Sequence, residues 1–335
     1  MESKTGRYIA SLLRPIIEKV GPENVVALCM DGGSNYGAAC KELMADWPYI
    51  EYVPCATHVF DLLMEDVGKI TWCKDIVDRC RDMITYVRNH HFTRNYLRSR
   101  KVKGGKGKQL VKPTGTRFGT NYIALSRLVQ LRSTLSQLVL SEKYANWKLT
   151  ADTFRGHVMD DAWWKNATYL VELLAIPFKV MRATDRSAKG MMGTIYDVML
   201  QLTEDVNDKL EAGEKILPRA VADDIGKIVR RRWDESLACA FHVVGRILNP
   251  ANQEEGIFRN DMECTRIFKA FIAHHYDGKT FTNKDGEERR ASLSLAVLPG
   301  NTPEPALPEG YNKEEEGEEK EGEEDDAVLT DEYVE

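Results

Sequence analysis

Val25-Val26-Ala27-Leu28-Cys29-Met30 is an unbroken apolar run, partly β-branched, that stops abruptly at Asp31-Gly32-Gly33. A short continuous run of this kind reads as a strand buried on both faces, as strands of parallel sheets are. Such a strand needs helices to cover it, and the flanking sequence supplies them. Upstream, Ile9, Leu12, Leu13, Ile16, Ile17 and Val20 recur at spacings of three and four; Pro15 lies inside that face and implies a helix start or a bend there. Downstream, Tyr36, Ala39, Cys40, Leu43, Met44 and Trp47 mark a second helix with Ser34 as N-cap, ended by Pro48. "YIEYVPC", residues 49–55, reads as a short strand, and Val59, Leu62, Leu63, Val67 and Ile70 form a third helical stripe. The order helix, strand, helix, strand, helix implies parallel neighbours in an α/β sheet. Two strands are too few for such a sheet, so further strands or another chain must complete the layer.

From about Thr71 the alternation gives way to helical patterns. They span roughly 73–100, 120–140, "DDAWWKNATYLVELLAIPFKVMRATD" at 160–185 interrupted at Pro177, 191–210, and 217–247. "RKVKGGKGKQLVKPTGTRFGT" separates the first two as a Gly- and Lys-rich flexible loop. The expected architecture is thus a partial α/β segment over residues 1–72 and a helical region over 73–278 carrying a basic loop at 100–119. A polar linker and a disordered acidic tail follow over 279–335.

Apolar residues make up 43% of the 335 residues, enough for a sizeable core, and no run of about 18 of them supports a membrane span. No signal-peptide pattern opens the chain, and seven scattered cysteines suit a reducing compartment, so an intracellular protein is expected. Charge is unevenly placed. Residues 313–335 hold 13 acidic and 2 basic residues; their −11, within a total of −6, leaves +5 on residues 1–312. No Asp or Glu occurs from Met83 to Ser141, where twelve Lys and Arg do. A basic body with an acidic tail suits a nucleic-acid handler, and equally a solvated face with a disordered tail.

Asp31 stands at a strand's carboxyl end, where ligands of open α/β sheets gather. It is either one carboxylate of a divalent-metal site or a polar start to the Gly32-Gly33 turn. Cys55 and His58 are half of a zinc pattern with no second half, so a structural role is expected. "KVKGGKGKQ" fails as a nucleotide-phosphate loop: Val102 occupies the first glycine position and Gln109 the Ser/Thr position. Its lysines suit non-specific phosphate contact. The nucleic-acid-binding candidates are Arg98, Arg100, Lys101, Lys103, Lys106, Lys108, Lys112, Arg117 and Phe118. Phe118 is either a ring for stacking on a base or a core residue at a helix start. Trp163 and Trp164 read as packing residues, and His90-His91 and His274-His275 as exposed pairs.

"VVALCMDGGSNYGAACKELMADWPYIEYVPCATHVFDLLMEDVGKI" resembles the central segment of plant hAT-type transposase-like proteins of the domain-of-unknown-function class. The matching positions are Asp31, Ser34 and Asn35, then Cys55, Ala56, His58, Asp61 and Leu62. "PTGTRFGTNYIALSRLVQLRSTL" and "RRRWDESLACAFHVVGRILNP" resemble later blocks, so the likeness spans roughly residues 1–260. It implies an RNase H-like fold interrupted by a helical insertion. Asp31 would be the second of three metal-binding acids, with Ser34, Asn35, Cys55, His58 and Asp61 near the site and Arg117-Phe118 near the DNA ends. The resemblance further implies truncation at both ends, because no strand bearing the first acid, no S-E-R block after Pro250 and no BED zinc finger match. The expectation is a nuclear, transposon-derived protein lacking a complete catalytic triad, with no cofactor, that binds DNA or protein. Another chain would complete its sheet, and no membrane is involved. The alternative is a metal-dependent transposase or nuclease using magnesium or manganese, with Asp31 joined by carboxylates such as Asp61 or Glu235.

Overall fold

The computed structural model describes residues 5–99, 110–113, 118–147, 153–185, 191–255, 261–276, 280–282 and 288–290. The first elements are α1 (Gly6–Val20), β1 (Ala27–Met30), α2 (Ser34–Asp46), β2 (Glu51–Pro54) and α3 (Ala56–Lys69). β1 and β2 form a two-stranded parallel sheet in the register Ala27↔Glu51 to Met30↔Pro54. The Glu51 N–H donates to the Val26 carbonyl and the Cys55 N–H to that of Met30. By strand alternation, the backbone groups of Ala27 and Cys29 therefore point away from β2, toward an edge on which no strand pairs among the described residues.

α1 packs on α2. Gly6 makes this possible, since a β-carbon there would lie 2.6 Å from that of Ala38. Thr5 caps α1 through its hydroxyl, which accepts from the Tyr8 N–H at 3.3 Å. Gly21 ends the helix at φ 89°, a conformation glycine adopts without steric cost. Arg14 pairs with Asp46 across the two helices. The helix continues through Pro15, so it does not start there. Ser34 is the first helical residue of α2 rather than its cap, which is Gly33.

The helical body continues with α4 (Thr71–Asn89), α5 (His91–Ser99), α6 (Gly119–Gln130), α7 (Arg132–Leu140), α8 (Glu142–Trp147), α9 (Thr153–Val158) and α10 (Asp161–Asp185). It then adds α11 (Ile195–Ala212), α12 (Arg219–Arg231), a π-helical turn over Arg232–Leu237, α13 (Ala240–Leu248) and α14 (Met262–Tyr276). The expected 73–100 helix is two, parted at His90, and the 120–140 helix is two, parted at Leu131. α10 passes through Pro177 without interruption, because Leu170, Leu173, Leu174, Pro177 and Val180 are all buried and hold both halves in the core. Trp163 and Trp164 pack inward as expected, Trp164 completely, with its indole N–H donating to the Val158 carbonyl at 2.8 Å.

α3 belongs to this body: Val59, Phe60, Leu63, Met64 and Val67 join one continuous core that reaches Leu237. In packing terms, a boundary between buried clusters falls just before α3. Within the expected linker, β3 (Thr280–Thr282) and β4 (Glu288–Arg290) pair antiparallel. The acidic tail lies outside the described residues. The described residues are mostly helical, and no described helix is long and apolar enough to cross a membrane.

Candidate functional site at the strand ends

β1 and β2 end side by side, because the Cys55 N–H bonds the Met30 carbonyl at 2.9 Å. Beyond them the chain turns outward through Asp31-Gly32-Gly33 on one side and enters α3 at Cys55, its N-cap, on the other. Asp31 is exposed, as is Ser34. The Asn35 side chain turns back on its own helix start and accepts from the Tyr36 N–H at 3.1 Å. His58, in the first turn of α3, lies against Gly32: a β-carbon there would sit 3.5 Å from the imidazole Cδ2. The two strand ends thus bring His58 beside the Asp31 turn. Tyr52 ties the same turn from below, its hydroxyl 3.4 Å from the Met30 carbonyl and 3.3 Å from that of Asp31.

The electrostatics favour a neutral Cys29 thiol here. Burial pushes the Cys29 thiol up, and the neighbouring Cys55 and Asp31 push it further in the same direction. Tyr52 is raised by burial, with Cys40, Cys29, Asp31 and Cys55 adding to it. A raised thiol pKa removes the thiolate that nucleophilic or metal-binding cysteine needs at neutral pH.

Asp61 follows His58 by three residues, but it is buried and occupied. Its Oδ1 accepts the Gly119 N–H at 3.0 Å, an anion placed at the first residue of α6 where the helix dipole welcomes it. Asp66, one turn further, is gripped by Arg231 at 2.7 Å and Arg232 at 2.5 Å. Burial raises its pKa, but the hydrogen bond and charge of Arg232, with Lys69, outweigh that and leave it lowered. Glu235 is exposed on the π-helical turn. Among the described residues, Asp31, Cys55, His58 and Asp61 do not form a set of three ligand atoms mutually within 4.8 Å. The group that does is Glu51, His274 and His275, at the opposite end of β2.

Of the basic candidates, Arg98 and Lys112 are exposed. Phe118 is not a surface ring: it is 9% exposed, and a β-carbon on Gly68 would meet it at 2.0 Å, so its place is in the core. Arg100, Lys101, Lys103, Lys106, Lys108 and Arg117 lie outside the described residues. α5 extends the basic surface in a way the loop composition did not single out. His91, Arg94, Asn95 and Arg98 share one side of it, opposite the buried Thr93 and Leu97.

Residues 1–83 match the family model of a domain of unknown function, DUF659. DUF659 is typically found in hAT-like transposase-derived proteins. The DUF659 match takes in α1, both strands of the parallel sheet, α3 and most of α4, so it crosses the packing boundary and includes every residue of the strand-end cluster. No curated protein matches the chain.

Proposed function

We propose that this chain is a transposase-derived protein that binds nucleic acid through a basic helical surface, without strand-transfer chemistry of its own. The DUF659 match supports the transposase ancestry. Parallel strands flanked by helices, with Asp31 at a strand's carboxyl end, are in keeping with an RNase H-like origin for the α/β part.

The observation that carries the reading is the different employment of the two nearby carboxylates. Asp31 faces solvent, while Asp61 is spent on the Gly119 N–H and helps to found α6. A two-metal phosphodiester reaction needs several carboxylates converging on the ions. What the helical body offers instead is a cationic surface. The face of α5, together with exposed Arg88 and Lys112, lies in a stretch without a single carboxylate of its own.

The test is binding of the full chain to duplex DNA across a salt titration. Phosphate contact predicts affinity falling linearly on log–log axes. Arg98→Glu combined with Lys112→Glu should weaken binding and flatten the slope by about one per lost contact. Absence of binding at low salt would sink the nucleic-acid reading. Nicking of DNA in magnesium or manganese that Asp31→Asn abolishes would sink the non-catalytic one.

A further inference from the structure

We propose that Glu51, His274 and His275 bind one divalent transition-metal ion of the zinc class, which fastens α14 to the parallel sheet. Glu51 opens β2 and the two histidines close α14, so the group joins positions 224 residues apart. Their ligand atoms all lie within 4.8 Å of one another, and His275 Nε2 is 2.8 Å from Glu51 Oε1. Tetrahedral coordination at about 2.0–2.2 Å places ligand atoms roughly 3.3–3.6 Å apart. The observed spread, with one pair at 2.8 Å and all atoms within 4.8 Å, brackets that spacing.

The surroundings are those of a built site. His275 is 4% exposed, with its ring held by Phe271 at 4.2 Å and Phe241 at 6.2 Å between centroids. Glu51 is partly covered, while His274 is exposed, its ring centroid 4.8 Å from that of His275. One side of the group is therefore apolar and fixed, and the other opens to water, which supplies the remaining coordination position. Two imidazoles and one carboxylate favour zinc over magnesium or calcium, which prefer oxygen throughout.

A plain structural hydrogen bond between Glu51 and His275 would account for those two residues. It gives His274 no part, and that separates the readings.

The experiment uses the full chain stripped with EDTA and titrated with zinc chloride by calorimetry, with magnesium chloride as the control. The expected result is one saturable zinc ion, no response to magnesium, and a melting temperature that rises with zinc. His274→Ala alters an exposed side chain. It should leave the melting temperature in EDTA unchanged and weaken zinc binding at least tenfold. Glu51→Gln should weaken it as well. No saturable binding, or zinc binding that persists unchanged in both variants, overturns the proposal; the latter would place the ion on other residues.

Discussion

The α/β lobe and the helical body are built from similar residues but bury them very differently. In the body, one core runs from Val59 to Leu237, and Trp164, Leu128, Leu135 and Leu202 are fully shielded. In the lobe, the buried cluster is Ala10, Ile17, Ala39, Leu43 and Ile50, all between α1, α2 and the start of β2. An adjoining flank of α1 remains in solvent: Leu12 is 53% exposed, Ile16 57% and Val20 53%. Those three recur every four residues, a helical stripe without a cover among the described residues. The body also exposes large apolar side chains, among them Leu140, Met159 and Leu200, but these lie singly rather than in a stripe along one helix. The lobe carries such a stripe and also presents the outer edge of β1.

The sharpest test of that difference is to remove equivalent core groups from each part. Trp164→Ala deletes a completely buried indole and its hydrogen bond to Val158, and should cost about 3–5 kcal/mol in the main unfolding transition. Leu43→Ala, also 0% exposed, removes the centre of the smaller cluster. It should leave most of the far-ultraviolet helical signal in place while proteolysis within residues 1–55 accelerates. If both variants melt the whole chain together, the two parts are one cooperative unit and the comparison fails.

A smaller effect separates the parts by pH. Burial lowers the His242 pKa to about 4, beside Cys239 Sγ at 3.4 Å and stacked on Trp233. The folded chain holds this imidazole neutral where the unfolded chain, near 6.5, takes up a proton. Stability therefore falls as pH drops from about 6.5 to about 4, by an amount on the order of 3 kcal/mol. The paired carboxylates Asp66 and Asp160 are lowered from already acidic values, so they act below most of that window. Melting curves at pH 7 and pH 5 should show the loss in the body's transition, and His242→Gln should remove it. A pH-independent melt over that range would mean that His242 is not buried as described.

How much of this was legible from sequence depended on the range of the interaction. β1 is a local signal, an apolar run with a sharp polar end, and it forms where the run lies, trimmed to Ala27–Met30. It is not buried on both faces as expected: Cys29 is exposed and the other three residues are only partly covered. Pro177 misled because a proline's local cost to a helix was weighed without the tertiary packing that overrides it, plain in the buried residues on both sides. The position of Asp31 at a strand end could be read directly, and so could the core alternative for Phe118. Asp61's bond to Gly119 could not, because 58 residues intervene. His275 reads as half of an exposed pair until Glu51, at the far end of the chain, is seen beside it. Only His274 of that pair is exposed.

The smallest expected effect bears directly on the stripe along α1. Leu12→Gln and Ile16→Gln replace exposed apolar groups on a helix whose buried side, Ala10 and Ile17, is untouched. Surface changes of this kind usually stay within about 0.5 kcal/mol, and the melting temperature of the double variant should barely move. The same pair should reduce any concentration-dependent association seen by light scattering, because contiguous exposed apolar surface is what draws chains together. A loss of 2 kcal/mol or more would require these side chains to be packed in solution. The cover would then be part of the folded unit, and the lobe would be as self-contained as the body. Unchanged stability with lowered association would instead make α1 a surface that works only between chains, which is the difference the two cores imply.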